Sequence, residues 1–176
     1  KNYTIVSGLA KGCDTCAHQA TLDNNGYTVA VMPGGLDSIY PKSNTDLAQR
    51  ILENGGCLVS EYNVGTKPFL GHYVERDRLQ TALSRGIIVI ETRLDGGSMH
   101  AINHGLETDR VIGAYNNLAY YTGEKLDNIQ GNLDLINRKK AISLENKENV
   151  ELFFKKLGER DIVNLVESNV QLNIFD

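Results

Sequence analysis

Short, nearly unbroken apolar runs alternate along this chain with stretches in which apolar residues recur every three or four positions. The runs are YTIVSG (3–8), YTVAVM (27–32), GCLVSE (56–61), GIIVIE (86–91) and RVIGAY (110–115). Continuous apolarity over so short a span predicts strands covered on both faces, as in a parallel sheet. Between them, CAHQATLDNN (16–25), NTDLAQRILEN (44–54), RDRLQTALS (76–84) and SMHAINHGLE (98–107) carry helical spacing. Ser43 or Asn44 and Ser98 are candidate N-caps, and Gly26, Gly55 and Gly86 stand where helices should stop. This alternation predicts an α/β fold with a doubly wound, mostly parallel sheet and helices on both faces.

After residue 115 the pattern changes. Residues 116–128 read as a polar loop holding the Tyr120–Tyr121 pair, and 129–144 as one more helix followed by a short edge strand. NKENVELFFKKL (146–157) is amphipathic, with Val150, Phe153, Phe154 and Leu157 on one face. The expected organisation is therefore one domain over 1–145 and a C-terminal helix and tail over 146–176. Lys1 stands almost at the start of a strand, where a sheet of this kind usually has a strand-helix unit upstream, so the expectation is either a fragment or a naturally shortened member of its class.

Composition adds limits. With 41% apolar and 23% charged residues the chain is globular in type. It has no long uncharged apolar run to span a membrane, and its polar start does not read as a secretory signal. Three cysteines do not make a disulfide framework, so a cytoplasmic setting is expected. A net charge of −4 disfavours a wholly basic nucleic-acid coat but leaves room for a local basic groove. GCDTCAH (12–18) has C-x-x-C spacing, yet no second pair completes a tetrahedral metal site. Neither a metal nor a cofactor is expected, and the helix start keeps a redox pair open.

Ligands of open α/β sheets bind beyond the carboxyl ends of the strands. The loops there are SGLAKGCD (7–14), MPGGLDSIYPKS (32–43), EYNVGTKPFLGHYVERDR (61–78) and ETRLDGGSMH (91–100). Glycines in them admit backbone amides to a ligand, and helix N-termini favour anions. Lys11, Lys42, Lys67, Arg76, Arg78 and Arg93 are interleaved with Tyr40, Tyr62, Phe69 and Tyr73. Cation plus ring suits single-stranded nucleic acid. A small nucleotide fits nearly as well.

VSGLAKGCDTCAH (6–18), VAVMPGGLDSIYPKSNTDLAQRI (29–51), LVSEYNVGTKPFLGHYVERDRLQTALS (58–84) and GGSMHAINHGLETDRVIGA (96–114) resemble, in order and spacing, the motifs of the DNA-processing protein A family, also called DprA or Smf. The resemblance covers about residues 4 to 145. It implies a Rossmann-like domain that binds single-stranded DNA, forms a homodimer, and helps load a RecA-type recombinase in DNA uptake and recombination, without being an enzyme. The implied DNA contacts are Ser7, Gly8, Lys11 and Gly12 in the first turn. Lys67, Tyr73, Arg76 and Arg78 follow in the second, and Gly97 and Ser98 at the head of a helix. Each arginine has an alternative in a salt bridge to Glu61, Glu75 or Asp77, and Asp14 and His18 are expected to hold the first turn by hydrogen bonds.

The departures are specific. Cys13 stands in place of isoleucine, Tyr73 of phenylalanine, Val74 of proline, Asp77 of asparagine and Ala101 of threonine. The family's N-terminal G-S-R strand, which carries a DNA-contacting arginine, is not found in this sequence, nor is the winged-helix tail of some members, so a divergent relative is expected. PGGLDSIYP (33–41) also resembles the P-G-G-x-G-T-x-x-E signature of phosphoribohydrolases of similar fold, without its glutamate. Nucleotide binding or hydrolysis, with Glu61 or Glu91 as the substitute carboxylate, is therefore the alternative function. QLNIFD (171–176) resembles the peptide by which bacterial proteins dock on the replication sliding clamp; a last edge strand is the other reading.

Overall fold

The computed structural model describes residues 3–121 and 123–172, and the side chains up to 159 except that of Glu124. The chain forms two compact units, 1–84 and 85–176. Each contains a three-stranded parallel sheet whose strands follow one another in chain order, joined by helices. This is the βαβαβ arrangement from which Rossmann-like folds are built.

In the first unit, β1 (Ile5–Ser7), β2 (Thr28–Val31) and β3 (Cys57–Val59) are linked by α1 (Cys13–Asp23) and α2 (Thr45–Glu53), and α3 (Leu70–Ala82) follows. Ile5 pairs with Thr28 and Val29 with Cys57, in parallel register. Leu9, Leu22, Ala30, Met32, Leu47, Ala48 and Ile51 form its core, burying the facing sides of α1 and α2 against the sheet. The predicted strands are all present, shortened at their ends. The helix expected from residue 76 starts at Leu70, directly after Pro68 and the extended Phe69. Its first turn escaped the periodicity because Leu70, Tyr73 and Val74 are exposed apolar residues. They spoil the alternation that marks a helix lying on a core.

The second unit places β4 (Gly86–Val89), β5 (Val111–Tyr115) and β6 (Ile142–Leu144) in parallel, linked by α4 (Ser98–Glu107) and α5 (Gln130–Asn137). Val89, Ile102, Ile112, Ala114 and Leu135 make the core on one face. On the other, α6 (Lys147–Leu172) lays Phe153 and Leu157 over the strands. Gly113 and Gly86 have to be glycine there: a side-chain carbon on Gly86 would come within 2.6 Å of Leu157. Of the predicted apolar face of α6, Phe153 and Leu157 are buried whereas Val150 is largely exposed. Residues 123–129 coil as a 3-10 segment where a loop was expected. Among the described residues no helix is long and apolar enough to cross a membrane. Gln171 and Leu172 end α6 as helical backbone, while residues 173–176 of the QLNIFD segment lie outside the described residues.

Candidate nucleic-acid interface

The glycine turn after β1 is held from within on nearly every polar group that points inward. Ser7 Oγ donates to Asp14 Oδ1 at 2.7 Å, and the Ala10 N–H donates to Asp14 Oδ2 at 3.0 Å. Asn44 Nδ2 reaches the Leu9 carbonyl at 2.9 Å and Thr15 Oγ1 at 2.8 Å, while Thr15 Oγ1 donates to the Ala10 carbonyl at 2.7 Å. These bonds stabilise Leu9 at a positive φ of 61°, a conformation that a branched residue adopts only under constraint. Asn44 precedes α2 as expected of a cap, but its side chain makes no cap bond because this turn uses it instead.

Arg76 has a different place from the ligand-facing one considered from the sequence. Its side chain is buried, the residue being 6% exposed. Nη1 donates to the carbonyls of Gly8 at 2.7 Å and Val31 at 2.6 Å, and Nε donates to Asp77 Oδ1 at 3.1 Å. Arg76 therefore ties together the carboxyl ends of β1 and β2. Gly8 must be glycine, since a side-chain carbon there would collide with this guanidinium. The Asp77 alternative weighed for Arg76 is the one observed.

What the turn leaves outward is Lys11 and Gly12, both exposed, followed by the start of α1. Gly12 has a φ of 91° with open space around its Cα, and no side chain caps the helix it precedes. The Thr15 N–H of its first turn is taken by the Ala10 carbonyl at 3.2 Å, and the rest of such a terminus favours an anion through the helix dipole. Cys13 and Cys16 are exposed, and among the described residues no group of three His, Cys, Asp or Glu side chains is gathered to hold a metal. Asp14 holds the turn as expected, whereas His18 does not touch it. Its Nδ1 lies 2.7 Å from Thr28 Oγ1, which itself donates to the Ile5 carbonyl, so the imidazole carries its proton on Nδ1 and ties α1 to β2. Burial lowers the His18 pKa below its ordinary 6.5, and the nearby Asp14 carboxylate opposes that shift.

The Pro33–Gly35 turn is buried against the 63–68 loop. The Gly35 N–H donates to the Thr66 carbonyl at 2.9 Å, the Gly65 N–H to Asp37 Oδ1 at 2.7 Å, and Ser60 Oγ to the Gly34 carbonyl at 2.7 Å. A side-chain carbon on Gly34 would lie 2.8 Å from the Thr66 oxygen. These glycines permit two loops to touch and present no open cradle to a phosphate. His72 fastens the same turn from α3 through Nδ1 to the Pro33 carbonyl, 3.0 Å, and stacks on Tyr62 at 3.9 Å between centroids.

Lys67, Tyr73 and Phe69 are all exposed, Tyr73 at 38% and Phe69 at 59%. The Tyr73 ring lies 5.8 Å from the buried Arg76 guanidinium carbon. Arg78 is exposed and donates to Glu61, the salt bridge named as its alternative. Tyr62 donates to Glu75 at 2.7 Å, and its pKa is pushed up to about 12 by desolvation and then by that carboxylate. Sequence reasoning missed Asn44 and His72 as braces; Phe69, one of the rings it had named, is exposed and packs on His72 at 3.8 Å between centroids.

Gly97 and Ser98 belong to the second unit. Both are exposed at the head of α4, which has no side-chain cap. The loop before them is braced by the fully buried Asn132: its Oδ1 accepts the Thr92 N–H at 3.0 Å, and its Nδ2 donates to the carbonyls of Ile90 at 3.0 Å and Tyr115 at 2.9 Å. Glu91 accepts from Tyr121 Oη at 2.8 Å, and desolvation together with that carboxylate pushes the Tyr121 pKa up to about 12. Both carboxylates considered for hydrolytic chemistry, Glu61 and Glu91, are thus engaged by Arg78 and Tyr121.

Comparison with known proteins agrees with these motifs. The DNA recombination-mediator protein A family model matches residues 1–155. Protein Smf of Escherichia coli is 40% identical over 112 residues, covering 64% of this chain and 30% of that protein. DNA processing protein DprA of Streptococcus pneumoniae is 44% identical over 108 residues, 61% of this chain and 38% of the relative. The chain thus spans about a third of the length of these curated relatives. The solved DprA of Streptococcus pneumoniae superposes with a TM-score of 0.70 at 34% identity, over 85% of this chain and 50% of that one. DNA processing protein A of Helicobacter pylori, described for a unique single-stranded DNA binding mode, gives a TM-score of 0.74 at 28% identity, over 89% and 66% of the two chains. With its motifs, its α/β units and a family match over most of its length, the chain belongs to the DNA recombination-mediator protein A family.

Proposed function

We propose that this protein binds single-stranded DNA, without sequence preference and without catalysis, on the loops at the strand carboxyl ends. One observation carries the reading in the first unit. The glycine turn is anchored from inside by Arg76, Asn44 and Asp14, so its outward side, with Lys11 and the uncapped start of α1, is pre-formed for a phosphate. Ser7 and Gly8 shape that turn, Gly12 opens it, Lys67 and Arg78 supply further charge, and Tyr73 a stacking ring. In the second unit Gly97 and Ser98 offer the analogous backbone donors. Arg76 acts behind the surface as a positioning residue. Arg78 exchanges its Glu61 partner for phosphate when DNA binds.

Family membership supports the remaining parts of the reading: a cytoplasmic protein in DNA uptake or recombination, a homodimer, and a RecA-type recombinase as partner. Sliding-clamp docking by residues 171–176 is a separate reading that rests on the peptide resemblance alone, and Gln171 and Leu172 would have to leave the helix they end here for an extended peptide to form.

Salt titration of oligo-dT binding tests the claim. For a single strand the slope of log K against log salt is about −0.7 per phosphate neutralised. Lys67→Ala and Arg78→Ala should each make it shallower by about that amount. Glu61→Gln, which frees Arg78, should tighten binding. Salt-insensitive curves that coincide for all four proteins would remove the proposal.

A further inference from the structure

The Asn117–Tyr121 stretch and Lys125 have no place in the motifs above, yet they make specific contacts. Tyr120 projects from it with 61% of its surface exposed, next to Tyr121, which is only 6% exposed. The Tyr121 hydroxyl is bonded to Glu91 at the end of β4, and its ring meets the Tyr120 ring edge-on, at 86° and 5.0 Å between centroids. The Tyr120 N–H donates to the Asn117 carbonyl at 3.0 Å, and Asn117 Nδ2 donates to Tyr115 Oη at 3.1 Å. The Tyr120 backbone is thus held by a hydrogen bond and its ring braced by Tyr121, while most of the residue remains in water. Lys125 Nζ stands 5.2 Å from the centre of the same ring.

We propose that Tyr120, with Lys125 beside it, is a second stacking contact for an unpaired nucleobase of single-stranded DNA, carried by the second unit at the carboxyl ends of β4 and β5. The inference rests on the proposed DNA-binding function and adds a position that the family motifs do not contain. An exposed ring braced by its neighbour gains stacking with limited loss of side-chain freedom, and Lys125, swinging off the ring face as the base stacks, is within reach of the phosphate attached to that base. The ring and the ammonium read no base edge, so the contact tolerates any sequence. It requires an unstacked base, which selects single strands over duplex. The Glu91 carboxylate accepts the Tyr121 hydroxyl bond.

The test uses the full chain and oligo-dT carrying 5-iododeoxyuridine. Long-wavelength cross-linking followed by peptide mapping should give adducts on Tyr73 and, separately, on Tyr120. Tyr120→Ala should weaken binding about tenfold, Tyr120→Phe should bind like wild type, and Lys125→Ala should make the salt slope shallower by about 0.7. Because Tyr120 is exposed, its variants should keep the wild-type circular dichroism and melting midpoint. Adducts on Tyr73 alone, with Tyr120→Ala binding like wild type, would overturn this inference and leave the DNA-binding function standing. A wild-type protein that binds no oligonucleotide would overturn both.

Discussion

Arg76 and Arg78 are two residues apart on α3, and their side chains have opposite fates. Arg78 lies in water against Glu61, where an ion pair contributes little to stability. Arg76 supplies buried donors to two strand-end carbonyls, and removing it would take that donor from both oxygens, while Asp77 would keep its bond from Gln80 Nε2. Arg76→Ala should therefore cost about 3 kcal/mol of stability in urea denaturation, a magnitude typical of breaking a buried charged network. Arg76→Lys should recover little, because an ammonium lacks the planar fork that reaches both carbonyls and Asp77. A variant at position 76 with wild-type stability and weakened DNA binding would instead make it a surface cation.

At the level of elements, the motifs divide into those that open toward solvent and those that fasten loops to one another. The first turn opens at Gly12, whereas the Pro33–Gly35 turn closes on the 63–68 loop. Gly34→Ala should force that pair of loops apart at a cost of about 1–3 kcal/mol, the range for overpacking, visible as a lower melting midpoint of the protein. An unchanged midpoint would mean that the loops yield freely. Both turns are glycine-rich and both follow a strand, so sequence alone assigns them the same chemistry. Which one is filled by its neighbour depends on residues some thirty positions away, as with Gly35 and Thr66.

For the molecule as a whole, charge and acid response follow from a few groups. The chain carries a net charge of −4, so any polyanion affinity has to come from local cations and should fall steeply as salt rises. His18 sets a pH limit. Its folded pKa lies below 6.5, so between those two values the unfolded chain binds a proton that the buried imidazole refuses. Stability is then full above about pH 6.5 and is lost as pH falls toward the folded value. Denaturation midpoints at pH 7 and pH 5 should differ in that direction, and His18→Gln should flatten the difference.

Strand and helix order, the parallel α/β class and the loops that carry glycine and cation were legible in the residues, because apolar periodicity and turn chemistry are local properties. The family motifs were equally legible, being local patterns in fixed order. The direction each polar side chain faces was not. That Arg76 turns inward, that Asn44 serves another turn instead of its own helix, and that Tyr120 stays exposed while Tyr121 is buried are outcomes of tertiary contact. A guanidinium goes wherever unpaired carbonyls have to be satisfied, and only the folded chain brings Gly8, Val31 and Arg76 within reach of one another.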